Sequence, residues 1–454
     1  MALPYPLGTG RPLFAASRPL RCTGAVPEDR EPLTEQVDPA AEAPLQRTRK
    51  WSLVGPGIVV AATGVGAGDL VATLIAGSRF GYALLWAVVL GVVVKIALAE
   101  ATGRWHLASG STIFTGWRTL GAWTSVYFVV YVAVWGFVYG ATAMTSSALP
   151  LAALFPVLSI PAWGVICGVV GLAVVWFGSY RVFEKVMTVL IGVMFVIVVG
   201  LAVLVVPDLG ATLSGLVPRL PEGSAVYTLG LVGGVGGTIT MAAYGYWVNA
   251  KGWRDASWMK VMRLDNRVAY ITTGVFVVAM LVVGADLLHN SGVSLTEGDR
   301  GLLDLDEILR DRFGAIVSTL FLIGFFATSF SSLLGVWQGV SLLVTDFVRT
   351  SKRAGGQLAE GPAERSLPYR AYLLWLTFPP MALLFLDRPF ALVVAYGALG
   401  AFFMPFLAIT LLWLLNSRRT PERWRNGWLS NALLAGAAVL FLALCVNELS
   451  GLGS

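Results

Sequence analysis

After Trp51 the chain is a succession of long apolar stretches separated by short polar turns. Eleven can be told apart, at about 53–78, 81–103, 122–153, 158–179, 183–206, 226–248, 267–289, 313–346, 370–386, 389–416 and 428–449. Most match or exceed the roughly 20 residues that an α-helix needs to cross hydrocarbon. Short alternating strands, the mark of a membrane β-barrel, are not visible. The pattern therefore predicts an all-α membrane protein with eleven transmembrane helices. Residues 1–50 differ: they hold many Pro, Arg and Glu residues and no apolar run. They predict a disordered cytoplasmic tail, leaving 51–454 as the transmembrane domain.

Composition agrees. Of 454 residues, 56% are hydrophobic and only 13% charged, and mean hydropathy is +0.74, whereas a soluble domain carries about 25% charged residues. The tail has no apolar core for a signal peptide, and Glu28, Asp29 and Glu31 speak against a transit peptide. The net charge of +6 reads as topology, and no nucleic-acid partner is expected. Basic residues crowd alternate loops: Arg47, Arg49 and Lys50, then Arg104 and Arg118, then Arg181 and Lys185, then Lys251 to Arg267, then Arg349 to Arg370, then Arg418 to Arg425. By the positive-inside rule the N-terminus is cytoplasmic. An odd helix count then puts the C-terminus outside a cell membrane, with the lipid bilayer as partner and the oligomeric state open. Residues 290–312 form the largest outer loop, and it is acidic.

The chemistry-bearing residues inside the apolar stretches are few. Cys22, Cys167 and Cys445 lack metal-ligand spacing, and the histidines are His106 and His289, both near segment ends. No nucleophile–base pair or metalloprotease motif appears, so an enzyme is not expected. Asp69 stands out, within Gly64-Val65-Gly66-Ala67-Gly68-Asp69. A carboxylate at such depth costs about 2.5–3.5 kcal/mol or more, and the glycines weaken the helix around it. Segment 6 carries a second dense run, Gly233-Gly234-Val235-Gly236-Gly237-Thr238. The two runs lie five segments apart, and an odd-numbered unit repeated in tandem is inverted. Paired glycine-interrupted helices in two inverted halves point to a transporter site. The halves would span about 53–206 and 226–416, with an extra helix at 428–449.

From Gly55-Pro56-Gly57 through Ala76-Gly77-Ser78-Arg79-Phe80-Gly81-Tyr82 to Leu84-Leu85-Trp86, the chain resembles the first two helices of the Nramp family of divalent-metal transporters. The resemblance continues to Ala327-Thr328-Ser329-Phe330-Ser331-Ser332 in segment 8 and covers about 51–450. It implies a LeuT-like fold, a 5+5 inverted repeat plus one additional helix, with alternating access around a midplane metal site. The departures are specific. Where the family has Asp-Pro-Gly-Asn, this chain has Gly66-Ala67-Gly68-Asp69; where it has Met-Pro-His, this chain has Gly237-Thr238-Ile239. Segment 3, Val134-Trp135-Gly136-Phe137-Val138-Tyr139-Gly140, lacks the family's acid for proton passage.

These departures set the expected chemistry. Without the soft thioether, the donors are a carboxylate, backbone carbonyls, hydroxyls and water, a set suited to hard cations such as Mg²⁺ or Mn²⁺. The expected metal-binding or substrate-binding residues are Asp69, Gly66, Thr63, Gly237, Thr238 and Thr240, with the cation as substrate and no cofactor. Met241 and Met404 are read as packing residues able to restore a sulfur ligand. Lys95, Glu100 and Gln338 are candidate charge partners or pathway groups: Lys95 lies about 13 Å from Arg104 at the cytoplasmic end, so snorkelling alone would barely take it to water and it could pair with Asp69 in place of the cation when the site is empty, and Glu100 can pair with Arg104 at i,i+4. Proton coupling is expected to be weak or absent. Gly237→Met should favour softer ions. The alternative reading is a LeuT-like carrier of a small organic or zwitterionic solute such as an amino acid, with Asp69 facing its ammonium.

Overall fold

The structure, a computed structural model, describes residues 55–205, 209–234, 236–289, 300–352, 363–386 and 389–451. The tail expected at 1–50 lies outside the described residues. Among them every element is helical: α1 Pro56–Thr63, α2 Ala67–Phe80, α3 Leu85–Ser109, α4 Ile113–Leu120, α5 Ala122–Leu154, α6 Ile160–Phe177, α7 Tyr180–Leu204, α8 Leu209–Ser214 and α9 Ala225–Gly234. A 3₁₀ turn at Ile239–Ala243 leads into α10 Tyr244–Ala250 and then α11 Met259–Gly284, which runs into a π turn at Ala285–His289. The chain closes with α12 Arg300–Phe313, α13 Ala315–Lys352, α14 Leu367–Met381, α15 Pro389–Asn416 and α16 Trp428–Gly451. Helix is the natural outcome here, since hydrocarbon offers no partner for backbone N–H and C=O groups.

Six of these spans are long and apolar enough to cross a membrane: Leu85–Ser109, Ala122–Leu154, Ile160–Phe177, Tyr180–Leu204, Ala256–His289 and Ala315–Ser351. Phe402–Asn416 and Trp428–Ala443 are shorter apolar helices. Segments 1 and 6 are absent from the long spans because each is broken in its middle, into α1 and α2 and into α9 and α10.

Two of the elements that differ from the sequence expectation carry buried carboxylates. The acidic stretch expected as a loop to residue 312 is helical from Arg300, as α12. Leu305 and Leu309, one turn apart, are both fully buried, and the Ser318 hydroxyl donates to Asp306. This apolar stripe holds down a segment whose composition looks solvated. Segment 7 begins at Met259, well before the expected 267. Its first turns are polar, yet Asp265 and Asn266 are fully buried.

Candidate functional site

The site is assembled from the two helix breaks. Between α1 and α2, residues 64–66 leave the helix; between α9 and the 3₁₀ turn, residues 236–238 do the same. Gly236 and Gly237 have φ of +75° and +90°, a region that glycine enters without steric cost. The two breaks touch. A β-carbon on Gly64 would lie 1.8 Å from the Gly237 nitrogen and 2.0 Å from the Gly236 carbonyl carbon. Bare backbone is thus needed on both sides, and the two glycine runs of the sequence form one junction.

Broken helices free carbonyls, and at mid-bundle each needs a partner. The Thr63 carbonyl accepts from Ser332 Oγ of α13 at 2.7 Å, and Ser332 shares a 2.9 Å hydrogen bond with Tyr139 of α5. The Gly236 carbonyl accepts from the Tyr270 hydroxyl at 3.2 Å. The Gly237 carbonyl accepts from the Lys95 ammonium of α3. The Gly66 carbonyl accepts from the Leu70 N–H and the Thr238 carbonyl from the Met241 N–H, both at 3.1 Å. Hydroxyls, an ammonium and local turns therefore satisfy these five oxygens. Each carbonyl still has a second lone pair.

The expected site residues fall into two groups. Gly66, Gly237, Thr238 and Thr240 lie in or beside the junction, and Thr63 ends α1 at its edge. The Thr63 hydroxyl donates back to the Val59 carbonyl at 2.5 Å, and a β-carbon on Gly335 would stand 1.9 Å from it; it is bound into the α1–α13 contact. Thr238 packs against Gly400 of α15, where an added β-carbon would meet its methyl at 3.1 Å. The Thr240 hydroxyl is buried and has no hydrogen-bond partner among the described residues, and it lies 2.8 Å from where a β-carbon on Gly237 would sit. Asp69 falls in the first turn of α2, just past the break; its side chain lies outside the described residues.

Lys95 joins the junction through Gly237 and is 0% exposed. Its ammonium also sits 5.7 Å from the centre of the Phe441 ring of α16. Glu100 and Gln338 are engaged elsewhere. Glu100 pairs with Arg104 at 3.1 Å, at the i,i+4 spacing expected, and with Arg263 at 2.9 Å. Gln338 accepts from the Trp247 indole at 2.5 Å. Met241 and Met404 are fully buried in the apolar core. Among the described residues no group of three or more His, Cys, Asp or Glu side chains is placed to hold a metal, so the donors on show at the junction are carbonyls and hydroxyls.

One important residue was not singled out from sequence. Asp265 of α11 accepts from the Gly55 N–H at 2.9 Å, the Gly57 N–H at 2.6 Å and the Tyr244 hydroxyl at 2.9 Å. It fastens the first turn of α1 to α10 and α11. A carboxylate suits this place because a helix N-terminus presents unpaired N–H groups and a positive dipole end. The signal was available: Asp265 precedes an apolar run and sits among basic residues that hid it as loop charge.

Comparison with known proteins fits this geometry. The family model described as natural resistance-associated macrophage protein-like, Nramp, matches residues 57–450. A divalent metal cation transporter MntH of Mycobacterium leprae is 28% identical over 88% of this chain and 93% of its own length. The MntH of Mycobacterium tuberculosis is 25% identical over 81% and 84%. In structure, the chain resembles the Eremococcus coleocola manganese transporter with a TM-score of 0.72, at 16% identity, covering 89% of this chain and 88% of that one. It also resembles MhsT solved with L-phenylalanine, a LeuT-like neighbour, with a TM-score of 0.54 at 15% identity, covering 86% and 98%.

Proposed function

Since this chain belongs to the Nramp family, we propose that it carries divalent metal cations across a cell membrane. The ion is the substrate, and no bound cofactor or enzymatic step is needed. The observation that carries the reading is the junction itself, where two interrupted helices meet backbone to backbone beside the unpartnered Thr240 hydroxyl. Discontinuous helices that place backbone oxygens at mid-bundle are a recurring way to receive a cation within a transporter. The relatives, named as divalent metal cation transporters over most of their length, support a metal and do not favour an amino acid.

The donor set supports a bias toward hard ions, Mg²⁺ or Mn²⁺. Asp69 supplies the anionic oxygen, Thr240 a hydroxyl and the breaks their carbonyls, with Gly66, Thr63, Gly237 and Thr238 shaping the junction. No thioether or imidazole stands in the aligned positions, and oxygen ligands suit small hard cations that keep part of their water. The same losses, with the absence of an acid between Val134 and Gly140, support weak or absent proton coupling. The proposed path is eleven crossings arranged as two inverted repeats plus α16, with the N-terminus cytoplasmic, the C-terminus outside, and access alternating around the junction.

The test is uptake by purified protein in liposomes holding a divalent-sensitive dye, with a pH-sensitive dye in parallel. Mn²⁺ or Mg²⁺ should enter, little proton movement should accompany it, and Asp69→Ala should abolish entry. Entry that survives Asp69→Ala would remove the central ligand. Uptake of amino acids in place of metal would overturn the reading.

A further inference from the structure

We propose that Lys95 is a built-in substitute for the transported ion. In the unloaded carrier its ammonium occupies the cation's place at the Gly237 carbonyl, and this lets the empty molecule change its facing without a co-transported ion. The inference rests on the cation-carrier reading above and deepens it.

Position comes first. Lys95 lies ten residues into α3, Leu85–Ser109, so it is about 15 Å from one end and about 20 Å from the other at 1.5 Å per residue. Its stem spans only a fraction of either distance, so the ammonium cannot reach water by snorkelling. It is fully buried, and a buried ammonium needs partners inside the bundle. One partner is the carbonyl of Gly237, an oxygen freed because the helix is broken there. The ring of Phe441, itself fully buried, offers the negative face of its π system at 5.7 Å. A carbonyl oxygen in an unwound stretch and an aromatic face are both groups that receive cations, and Lys95 sits between them.

The functional consequence follows from charge. A carrier that releases its ion leaves behind a site built for positive charge, which is costly to turn across hydrocarbon unless something replaces the ion. A resident ammonium does so. Loading then requires displacement, because two cations at one carbonyl repel. The flexible lysine stem lets the ammonium withdraw toward Phe441 with its proton retained. The alternative role is a mere staple between α3 and the break in segment 6. The two differ in one measurable respect: a staple supports every mode of transport alike, whereas a substitute ion is needed only when the site travels empty.

The experiment uses full-length protein in phosphatidylcholine liposomes and radioactive Mn²⁺, comparing net uptake into Mn²⁺-free vesicles with exchange into vesicles preloaded with Mn²⁺. For Lys95→Gln, net uptake should fall at least about tenfold while exchange stays within about threefold, and Mn²⁺ should bind about tenfold more tightly because its competitor is gone. Lys95→Arg keeps a cation and should retain much of the net uptake. Phe441→Leu keeps the ammonium but removes its second resting place; net uptake should fall severalfold with exchange preserved. Equal loss of both modes in folded Lys95→Gln, or loss of neither, overturns the proposal, as does unchanged Mn²⁺ affinity. If Lys95→Gln does not yield a monodisperse protein, Phe441→Leu decides: parallel loss of both modes, or no change in either, overturns the proposal. Folded wild-type protein that moves neither Mn²⁺ nor Mg²⁺ in either mode defeats the cation-carrier reading itself, a different result.

Discussion

The backbones of Gly64 and Gly237 lie so close that a single added methyl on Gly64 would overlap the Gly237 nitrogen, at 1.8 Å. The neighbouring atom is backbone and cannot swing aside. Gly64→Ala should therefore lose more than the 1–3 kcal/mol typical of overpacking, roughly 3 kcal/mol or above, and transport with it. Gly192→Ala in α7 is the control: nothing stands within 4 Å of its added β-carbon, so stability should hold or rise by up to about 1 kcal/mol. Thermal unfolding of the two purified variants checks both.

The same geometry revises one sequence expectation. Gly237→Met looked like a simple way to return a sulfur ligand. At φ +90°, with Thr240 Oγ1 at 2.8 Å and the Gly64 Cα at 3.1 Å from an added β-carbon, any side chain there is strained before its chemistry matters.

Thr240→Val isolates the unpartnered hydroxyl. The swap keeps shape and removes one buried polar atom, so stability should be unchanged or higher by about 1 kcal/mol. If that oxygen ligates the ion, Mn²⁺ should bind about tenfold more weakly, a loss near 1.4 kcal/mol. Titration calorimetry reads the affinity, and an unaltered value would remove Thr240 from the site.

Asp265→Ala strands the Gly55 and Gly57 N–H groups and the Tyr244 hydroxyl. Hydrogen bonds to a charged group contribute about 1.5–3 kcal/mol each, so the variant should lose at least about 3 kcal/mol. Asp265→Asn, which keeps an acceptor, should lose less. Mn²⁺ affinity of the protein that remains folded should stay within about threefold, because Asp265 fastens the end of α1 and not the junction.

Gln338→Leu tests whether that amide is a pathway group or a brace. It would leave the buried Trp247 indole N–H without its acceptor, costing about 1–3 kcal/mol. Transport per folded molecule should be unchanged, and adding Trp247→Phe should recover much of the stability, a coupling that a double-mutant cycle measures. Loss of transport at normal stability would return Gln338 to the pathway.

Much of the architecture was legible because hydrocarbon permits few solutions. The apolar stretches, the interruptions at the two glycine runs and the Glu100–Arg104 pair all follow from local pattern. What escaped was long-range. No local signal tells that the two breaks touch, that Lys95 reaches the Gly237 carbonyl, or that Gln338 faces an indole. Asp265 and α12 escaped for another reason: charge-rich stretches look solvated, and burial of a few positions among them depends on partners far along the chain.

Arg104 has one further implication. Its guanidinium donates to the Trp424 carbonyl at 2.9 Å, Asn426 Oδ1 at 2.8 Å and Ser430 Oγ at 2.9 Å, besides Glu100. Three of its four acceptors thus lie more than 300 residues further along the chain. A nascent polypeptide halted before Trp424 would hold a buried arginine with Glu100 alone of these acceptors, and without Phe441 it would also lack the ring beside Lys95. α16 is accordingly a condition of assembly, and a chain cut short before it should fail to pack α3 stably.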